Sequence, residues 1–147
     1  MSARLIRIVL PGGVVVGSGG CVSYVYAVIR LVPRVERGER FNVGVALFSR
    51  PKRFLAVRCD LDETKLAALA PGVDAGTIRA QLAALEAIAA GDPAAGPVAA
   101  LDSSERFHWI TSPGSTIIQA SPVHTGLTTD PEATLDHLFA GLVAPVR

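Results

Sequence analysis

The chain has 147 residues, of which 50% are hydrophobic and 18% are charged, and its formal net charge is +1. This length suits one compact domain, and the apolar content excludes a disordered chain. The near-neutral charge excludes a basic coat protein, and two cysteines, Cys21 and Cys59, cannot form a disulfide framework or a four-cysteine zinc site.

The first 21 residues are expected to lie outside the folded domain. Their apolar run over residues 5–16 is broken by Pro11-Gly12-Gly13 and is shorter than the about 20 apolar residues that span a bilayer. We predict that residues 1–21 are a flexible leader, or that the start codon is placed too early, and that residues 22–147 form a single domain. A secretory or lipoprotein signal ending near Cys21 is the alternative. We expect a cytoplasmic protein with reduced cysteines and no membrane segment.

Three strands are predicted in the first half of the domain. Residues 22–32 are rich in β-branched and aromatic side chains, and residues 41–50 place apolar side chains on alternate positions. A polar, glycine-bearing loop over residues 33–40 separates these two strands. The turn at Ser49-Arg50-Pro51-Lys52 leads to a third strand over residues 53–59, so the second and third strands should form a hairpin.

The second half of the domain is mainly helical. A first helix is predicted to start within residues 60–63 and to run to residue 70, and a second helix, capped by Asp74, is predicted to end at Gly91-Asp92-Pro93. A linker over residues 93–100 and one or two helical turns over 102–109 follow. The last predicted elements are a strand over 116–120 and a helix that begins at Asp130-Pro131. The last helix has an apolar stripe made of Leu135, Leu138, Phe139, Leu142 and Val143. This order predicts an α+β fold, an antiparallel sheet of three to four strands with helices packed on one side.

Basic side chains are concentrated in one part of the chain. Residues 30–58 carry a net charge of +6, whereas residues 59–147 carry −7. The simpler interpretation is that the two regions neutralise each other, because protein surfaces ordinarily carry both signs. The alternative is that the basic segment binds phosphate or nucleic acid through its arginines.

Arg30, Glu39 and Asn42 form the best candidate binding site. If the first two strands pair in antiparallel fashion, Arg30 and Asn42 meet and Glu39 leads into the same corner. Such a group can bind a phosphate or a carboxylate, or orient a water molecule. The structural alternative is an Arg30–Glu39 salt bridge that fixes the loop, with Asn42 capping the local backbone. Gly44, inside the second strand, indicates a close backbone approach or a bulge, or equally a simple packing requirement.

A second cluster lies at residues 106–109 and the loop that follows. Arg106 is a candidate to complete the anion site with Arg30. His108 could serve as a general base with Ser112, Ser115 or Thr116 as the nucleophile, but no nucleophile motif surrounds them. The simpler expectation is that Phe107 and Trp109 pack in the core while the hydroxyls satisfy turns.

The remaining residues carry no clear chemistry. His124 and His137 lack a second ligand at metal-binding spacing, and Cys59 is expected to be a small buried apolar residue. The glycines at 12–13 and 17–20 lack the lysine of a phosphate-binding loop. We therefore expect no catalytic residue, no metal and no cofactor.

Short motifs extend over most of the domain. Residues 26–33 form a tyrosine-bearing strand that ends in Arg-x-x-Pro, and residues 37–45 continue with Gly-Glu and Asn-x-Gly-Val. Residues 119–122 and the Asp130-Pro131 helix fit the same pattern, which resembles the bacterial domain-of-unknown-function family 3037 over about residues 24–143. The resemblance implies no established activity. It implies a HipA-like kinase protein as a partner, because members of the family are often encoded beside one.

These observations predict a small bacterial, cytoplasmic accessory protein that binds without catalysis. We expect recognition of a HipA-like kinase partner or a phosphate-bearing ligand through Arg30, Glu39 and Asn42, aided by Arg106. The alternatives are an enzyme that acts on phosphate esters or nucleic acid, with Glu39 as base or metal ligand, and nucleic-acid binding through residues 30–58. A single acidic residue in the corner disfavours a two-metal nuclease.

Overall fold

The computed structural model describes residues 9–10, 14–15, 20–112 and 117–145. Its elements are β1 (Val9–Leu10), β2 (Val14–Val15), β3 (Val22–Leu31), β4 (Phe41–Ser49), β5 (Phe54–Cys59), α1 (Glu63–Leu69), α2 (Ala75–Ala90), two 3₁₀ helices (Pro93–Ala95 and Pro97–Ala100), α3 (Ser103–Thr111), β6 (Ile118–Ala120), β7 (His124–Thr128) and α4 (Pro131–Leu142). The predicted leader falls mostly outside the described residues, and its two described pieces, β1 and β2, pair with each other.

The main sheet is built around β3. This strand pairs with β4 on one side, and on the other side its two halves pair with β6 and β7; β5 extends the sheet beyond β4. All pairings are antiparallel, which confirms the predicted α+β class. The sheet has five strands rather than three to four. The additional strand is β7. Its sequence, His-Thr-Gly-Leu-Thr, has no apolar alternation, so it is recognised as a strand only by its pairing with β3.

A bulge interrupts the pairing of β3 with β4. Ile29 lies opposite Gly44 and Arg30 lies opposite Asn42, so Val43 is an extra residue in β4. The bulge shifts the side-chain alternation by one residue, so Phe41 and Val43 before it belong to the same core cluster as Ala46 and Phe48 after it. A Cβ atom on Gly44 would lie 2.7 Å from the Cys59 Sγ, which confirms the predicted close approach at this glycine.

The two faces of the sheet are covered by different helices. One face packs with α1, α2 and α3, whose buried residues include Leu66, Ile78, Leu82, Phe107 and Ile110. The other face packs with α4 through a smaller cluster made of Tyr24, Val45, Leu47, Leu135 and Val143. The predicted sheet had helices on one side; α4 lies on the other because β3, β4 and β5 carry apolar side chains on both faces, and both need cover.

An aspartate begins every described α-helix. The carboxylates of Asp62, Asp74, Asp102 and Asp130 each accept hydrogen bonds from backbone N–H groups of the first turn. Gly91 ends α2 in the left-handed conformation, with φ of 73°, and the predicted linker after it forms the two 3₁₀ helices. Among the described helices, none combines the length and apolar character that a membrane crossing requires.

Gly126 leaves room for the ring of Tyr24, which lies opposite it across the β3–β7 pair. A Cβ atom at Gly126 would come within 2.5 Å of the Tyr24 Cζ and Oη atoms. Because Tyr24 is only 5% exposed, its ring has little space to move away. We expect Gly126→Ala to lower the free energy of unfolding by about 1–3 kcal/mol in urea denaturation, the usual cost of overpacking. In a Tyr24→Leu background the same substitution should cost much less, and an equal cost in both backgrounds would contradict the steric explanation.

Candidate functional site

The corner predicted from the sequence contains a row of polar side chains across three strands. Arg30 in β3 lies opposite Asn42 of β4 on one side and opposite Gln119 of β6 on the other. The expected meeting of Arg30 and Asn42 at the strand ends is therefore present. The Asn42 Nδ2 donates a hydrogen bond to the Leu142 carbonyl oxygen at 3.0 Å, so Asn42 fastens the C-terminal turn of α4 to this corner.

The Arg30 side chain is half-buried. Within residues 20–112 and 117–145, no carboxylate or carbonyl oxygen forms an ion pair or hydrogen bond with its guanidinium. The expected Arg30–Glu39 salt bridge is thus absent from the described structure. The guanidinium carries a permanent positive charge and five N–H donors, so this side chain is suited to receive an anionic partner.

Glu39 pairs with a different arginine. Arg37 donates two hydrogen bonds to it, from Nε to Oε1 at 2.8 Å and from Nη2 to Oε2 at 3.0 Å. These hydrogen bonds and the charge of Arg37 hold the pKa of Glu39 below its usual value, while Glu39 raises the pKa of Arg37. Both side chains are exposed. Glu39 therefore forms an exposed ion pair with Arg37 inside the loop before β4.

Arg106 does not join this corner, contrary to the prediction. It lies in α3, which packs on the sheet face opposite Arg30. Its guanidinium donates to the carbonyl oxygens of Leu101 at 2.9 Å, Ile88 at 3.1 Å and Ala89 at 2.6 Å. Ile88 and Ala89 belong to the last turn of α2, whose carbonyl groups lack intrahelical partners. Arg106 therefore caps the end of α2 and has a structural role.

Trp109 is exposed, whereas the sequence predicted that it would pack in the core. Its exposed fraction is 48%, while Phe107 is buried as predicted and its ring stacks on Phe48 with centroids 5.6 Å apart. The buried side of α3 consists of Phe107 and Ile110, which are three residues apart, and Trp109 points away from that side. The aromatic pattern alone could not distinguish these two rings.

An apolar groove of about 340 Å³ lies beside Trp109, between α2, α3 and β6. Leu85, Ile88, Ile110 and Ile118 contribute to its walls, and Gln81 and Ser112 provide polar groups. The Ser112 hydroxyl donates to the His108 carbonyl oxygen at 2.6 Å, as expected of a hydroxyl that satisfies a helix end. The other predicted nucleophiles, Ser115 and Thr116, lie outside the described residues.

Cys59 is not poised for chemistry. Burial, with a further contribution from the charge of Glu86, raises the pKa of its thiol to about 12, so the thiol stays protonated at neutral pH. Its backbone N–H donates to the Glu86 Oε2 at 3.0 Å, which ties the end of β5 to α2. Among the described residues, no group of three His, Cys, Asp or Glu side chains is arranged to hold a metal ion.

The basic residues of segment 30–58 do not form one surface. Arg34, Arg37 and Arg40 lie in the loop before β4, and Arg50, Lys52 and Arg53 lie in or next to the turn after it. The nine residues of β4 separate these two groups by about 30 Å, at 3.3–3.4 Å per residue. Arg58 forms an ion pair with Asp136 of α4. Arg30 is therefore the basic residue of this segment that is half-buried and unpaired within the described structure.

Comparison with known proteins finds one similarity. The family model described as a protein of unknown function (DUF3037) matches residues 26–143, which include the corner and both sheet faces. No curated protein and no solved structure matches the chain.

Proposed function

Because the chain belongs to the DUF3037 family, whose description assigns no function, we propose a function from the geometry of the corner. The protein is a non-catalytic binding module that recognises an anionic group, preferably a phosphate, through Arg30. One observation supports this proposal: Arg30 is half-buried and has no anionic partner in the described chain, although Asn42 lies beside it in the sheet.

A phosphate suits this site for chemical reasons. The guanidinium is planar and can donate two parallel hydrogen bonds to phosphate oxygens, and such charge-assisted bonds are stronger than neutral ones. Because Asn42 already binds the end of α4, the backbone around Arg30 is held in place before a ligand arrives. A preorganised site loses less entropy on binding than a flexible loop.

The two alternatives have weaker support. An enzyme that used Glu39 as a base would rely on a carboxylate whose pKa is lowered by Arg37, which makes it a poorer proton acceptor. Nucleic-acid binding through segment 30–58 would rely on basic groups that lie at opposite ends of β4, about 30 Å apart. The described residues therefore favour neither catalysis by Glu39 nor nucleic-acid binding by segment 30–58.

The test of the anion site is a phosphate titration of the full chain, followed by the backbone amide shifts of β3 and β4 in NMR spectra. We expect Arg30→Gln to weaken phosphate binding by roughly tenfold or more, since a hydrogen bond to a charged group contributes about 1.5–3 kcal/mol. Arg37→Gln is the matched control, because this arginine is nearby, exposed and already paired with Glu39. Equal affinity in the wild type and the Arg30 variant, with both folded by their melting temperatures, would refute the proposal.

A HipA-like kinase protein remains the proposed partner, on the basis of the family resemblance. A kinase also supplies phosphorylated side chains, which are ligands of the chemistry that Arg30 selects. Co-elution of the two purified proteins in gel filtration tests the pairing. We expect a complex that the Arg30→Gln variant weakens, and separate elution at micromolar concentrations would reject the kinase as partner.

A further inference from the structure

A row of aromatic rings lies on the same sheet face as Arg30. Tyr26 and Arg30 are four residues apart in β3, so both side chains project from one face at an interval of roughly 13 Å. His124 of β7 lies opposite Tyr26, and their ring centroids are 5.1 Å apart with an interplanar angle of 32°. On the far side of Tyr26, the Tyr24 ring stacks at 6.1 Å.

This row becomes more accessible towards the edge of the sheet. Tyr24 is buried against Leu135 and Val143 in the α4 cluster, Tyr26 is half-buried and His124 is exposed. Between the rings and Arg30, β3 contributes the side chain of Val28, which is buried. The outer part of this face therefore carries an aromatic surface at one end and an unpaired guanidinium at the other.

We propose that this strip of β3 and β7 binds a nucleoside phosphate, with the base against Tyr26 and His124 and the phosphate on Arg30. The inference rests on the proposed role of Arg30 as an anion site and names the class of ligand that the site takes. Every base has a π-face that stacks on aromatic side chains, and the long arginine side chain can adjust to a ligand with one or more phosphates.

A free nucleotide fits these observations better than a nucleic-acid strand. A strand needs several stacking positions and a continuous basic path along its backbone. The strip provides one accessible ring pair and one unpaired arginine, while the other basic residues of segment 30–58 lie in the exposed loop and turn at the two ends of β4 or pair with Asp136. A single nucleoside phosphate uses all of the groups that are present.

The experiment compares four probes by calorimetry on the full chain: adenosine 5′-monophosphate, uridine 5′-monophosphate, ribose 5-phosphate and an oligodeoxyadenylate of eight or so nucleotides, a length typical of single-strand binding sites. We expect both nucleoside monophosphates to bind roughly tenfold or more tightly than ribose 5-phosphate, because they differ from it only by the base, and stacking of the base adds to the phosphate contact. The affinity of the oligonucleotide should come from its terminal phosphate alone, with no additional contribution from the rest of the strand.

Substitutions separate the two halves of the site. His124→Ala and Tyr26→Leu should reduce binding of the nucleoside monophosphates to the level of ribose 5-phosphate and leave the binding of ribose 5-phosphate unchanged. Arg30→Gln should weaken the binding of all these ligands. His137→Ala, which removes another exposed histidine in α4, is the control and should change nothing. Because His124 is exposed, its variant is expected to fold even if Tyr26→Leu does not.

The outcomes distinguish this inference from the proposed function. If ribose 5-phosphate binds through Arg30 and the nucleoside monophosphates bind no more tightly, the nucleotide inference is wrong and the anion site remains. If no probe binds, both fail. If the oligonucleotide binds more tightly than the nucleotides, with an affinity that falls steeply as salt increases, the ligand is a nucleic-acid strand and the nucleotide inference is wrong.

Discussion

Phe107→Ala is expected to lower the free energy of unfolding by about 3–5 kcal/mol, whereas Trp109→Ala should cost about 1 kcal/mol or less. The two aromatic residues are neighbours in α3, but Phe107 is 7% exposed and stacks on Phe48, whereas Trp109 is 48% exposed. Removing the Phe107 ring leaves a cavity between α3 and β4 that close-packed neighbours cannot fill. Removing the indole mainly replaces an apolar surface that already contacts water.

Urea denaturation followed by circular dichroism measures both variants on one scale. Fluorescence is unsuitable for the comparison, because Trp109 is the single tryptophan of the chain. The slope of the free energy against urea should stay constant, which shows that the compactness of the unfolded state has not changed. Similar losses for the two variants would mean that Trp109 is as well packed as Phe107, in conflict with the structure.

Leu135→Ala should be the second strongly destabilising change, at about 2–5 kcal/mol. Leu135 has no exposed surface and lies at the centre of the cluster that joins α4 to Tyr24, Val45 and Leu47. Leu142→Ala is the control in the same helix, since Leu142 is 39% exposed and its carbonyl group, which accepts from Asn42, is kept. It should cost well under 1 kcal/mol.

Hydrogen exchange shows which part of the protein is affected by the loss of stability in Leu135→Ala. In Leu135→Ala, the amides of α4 should exchange faster than those of α2, because α4 packs on the sheet through this smaller cluster. Uniformly faster exchange throughout the domain would instead show that α4 unfolds only together with the whole protein. A neutral Leu135→Ala would contradict the assignment of α4 to the second face.

The strand and helix boundaries were largely predictable because local chemistry determines them. β-branched and aromatic residues mark β3 and β4, and the aspartates at 62, 74 and 130 mark the starts of their helices within a residue or two. β7 was missed because its side chains carry no alternation and its position depends on β3. The face on which α4 packs depends on which apolar side chains remain uncovered, and that is a property of the assembled sheet.

The candidate site was predictable only where strand pairing determines it. Arg30 and Asn42 meet because two antiparallel strands joined by a loop bring their ends together. The partner of Glu39 and the role of Arg106 depend on side-chain contacts with residues that spacing does not reveal, such as the end of α2. The Tyr26–His124 ring pair needs the register of β7, which the sequence pattern did not predict.

The bulge at Val43 allows one residue to be removed from β4 without changing the faces of the others. Deleting Val43 would make Asn42 and Gly44 adjacent, just as their partners Arg30 and Ile29 are adjacent in β3, and regular pairing would result. Asn42 would still face α4 and Phe41 would still face the opposite core, so the loss is limited to the buried Val43 side chain. A deletion at residues 45–48, where the pairing is regular, would instead turn every side chain on one side of it to the other face. Deletions are therefore expected to be tolerated in the exposed loop 33–40 and excluded from residues 45–48.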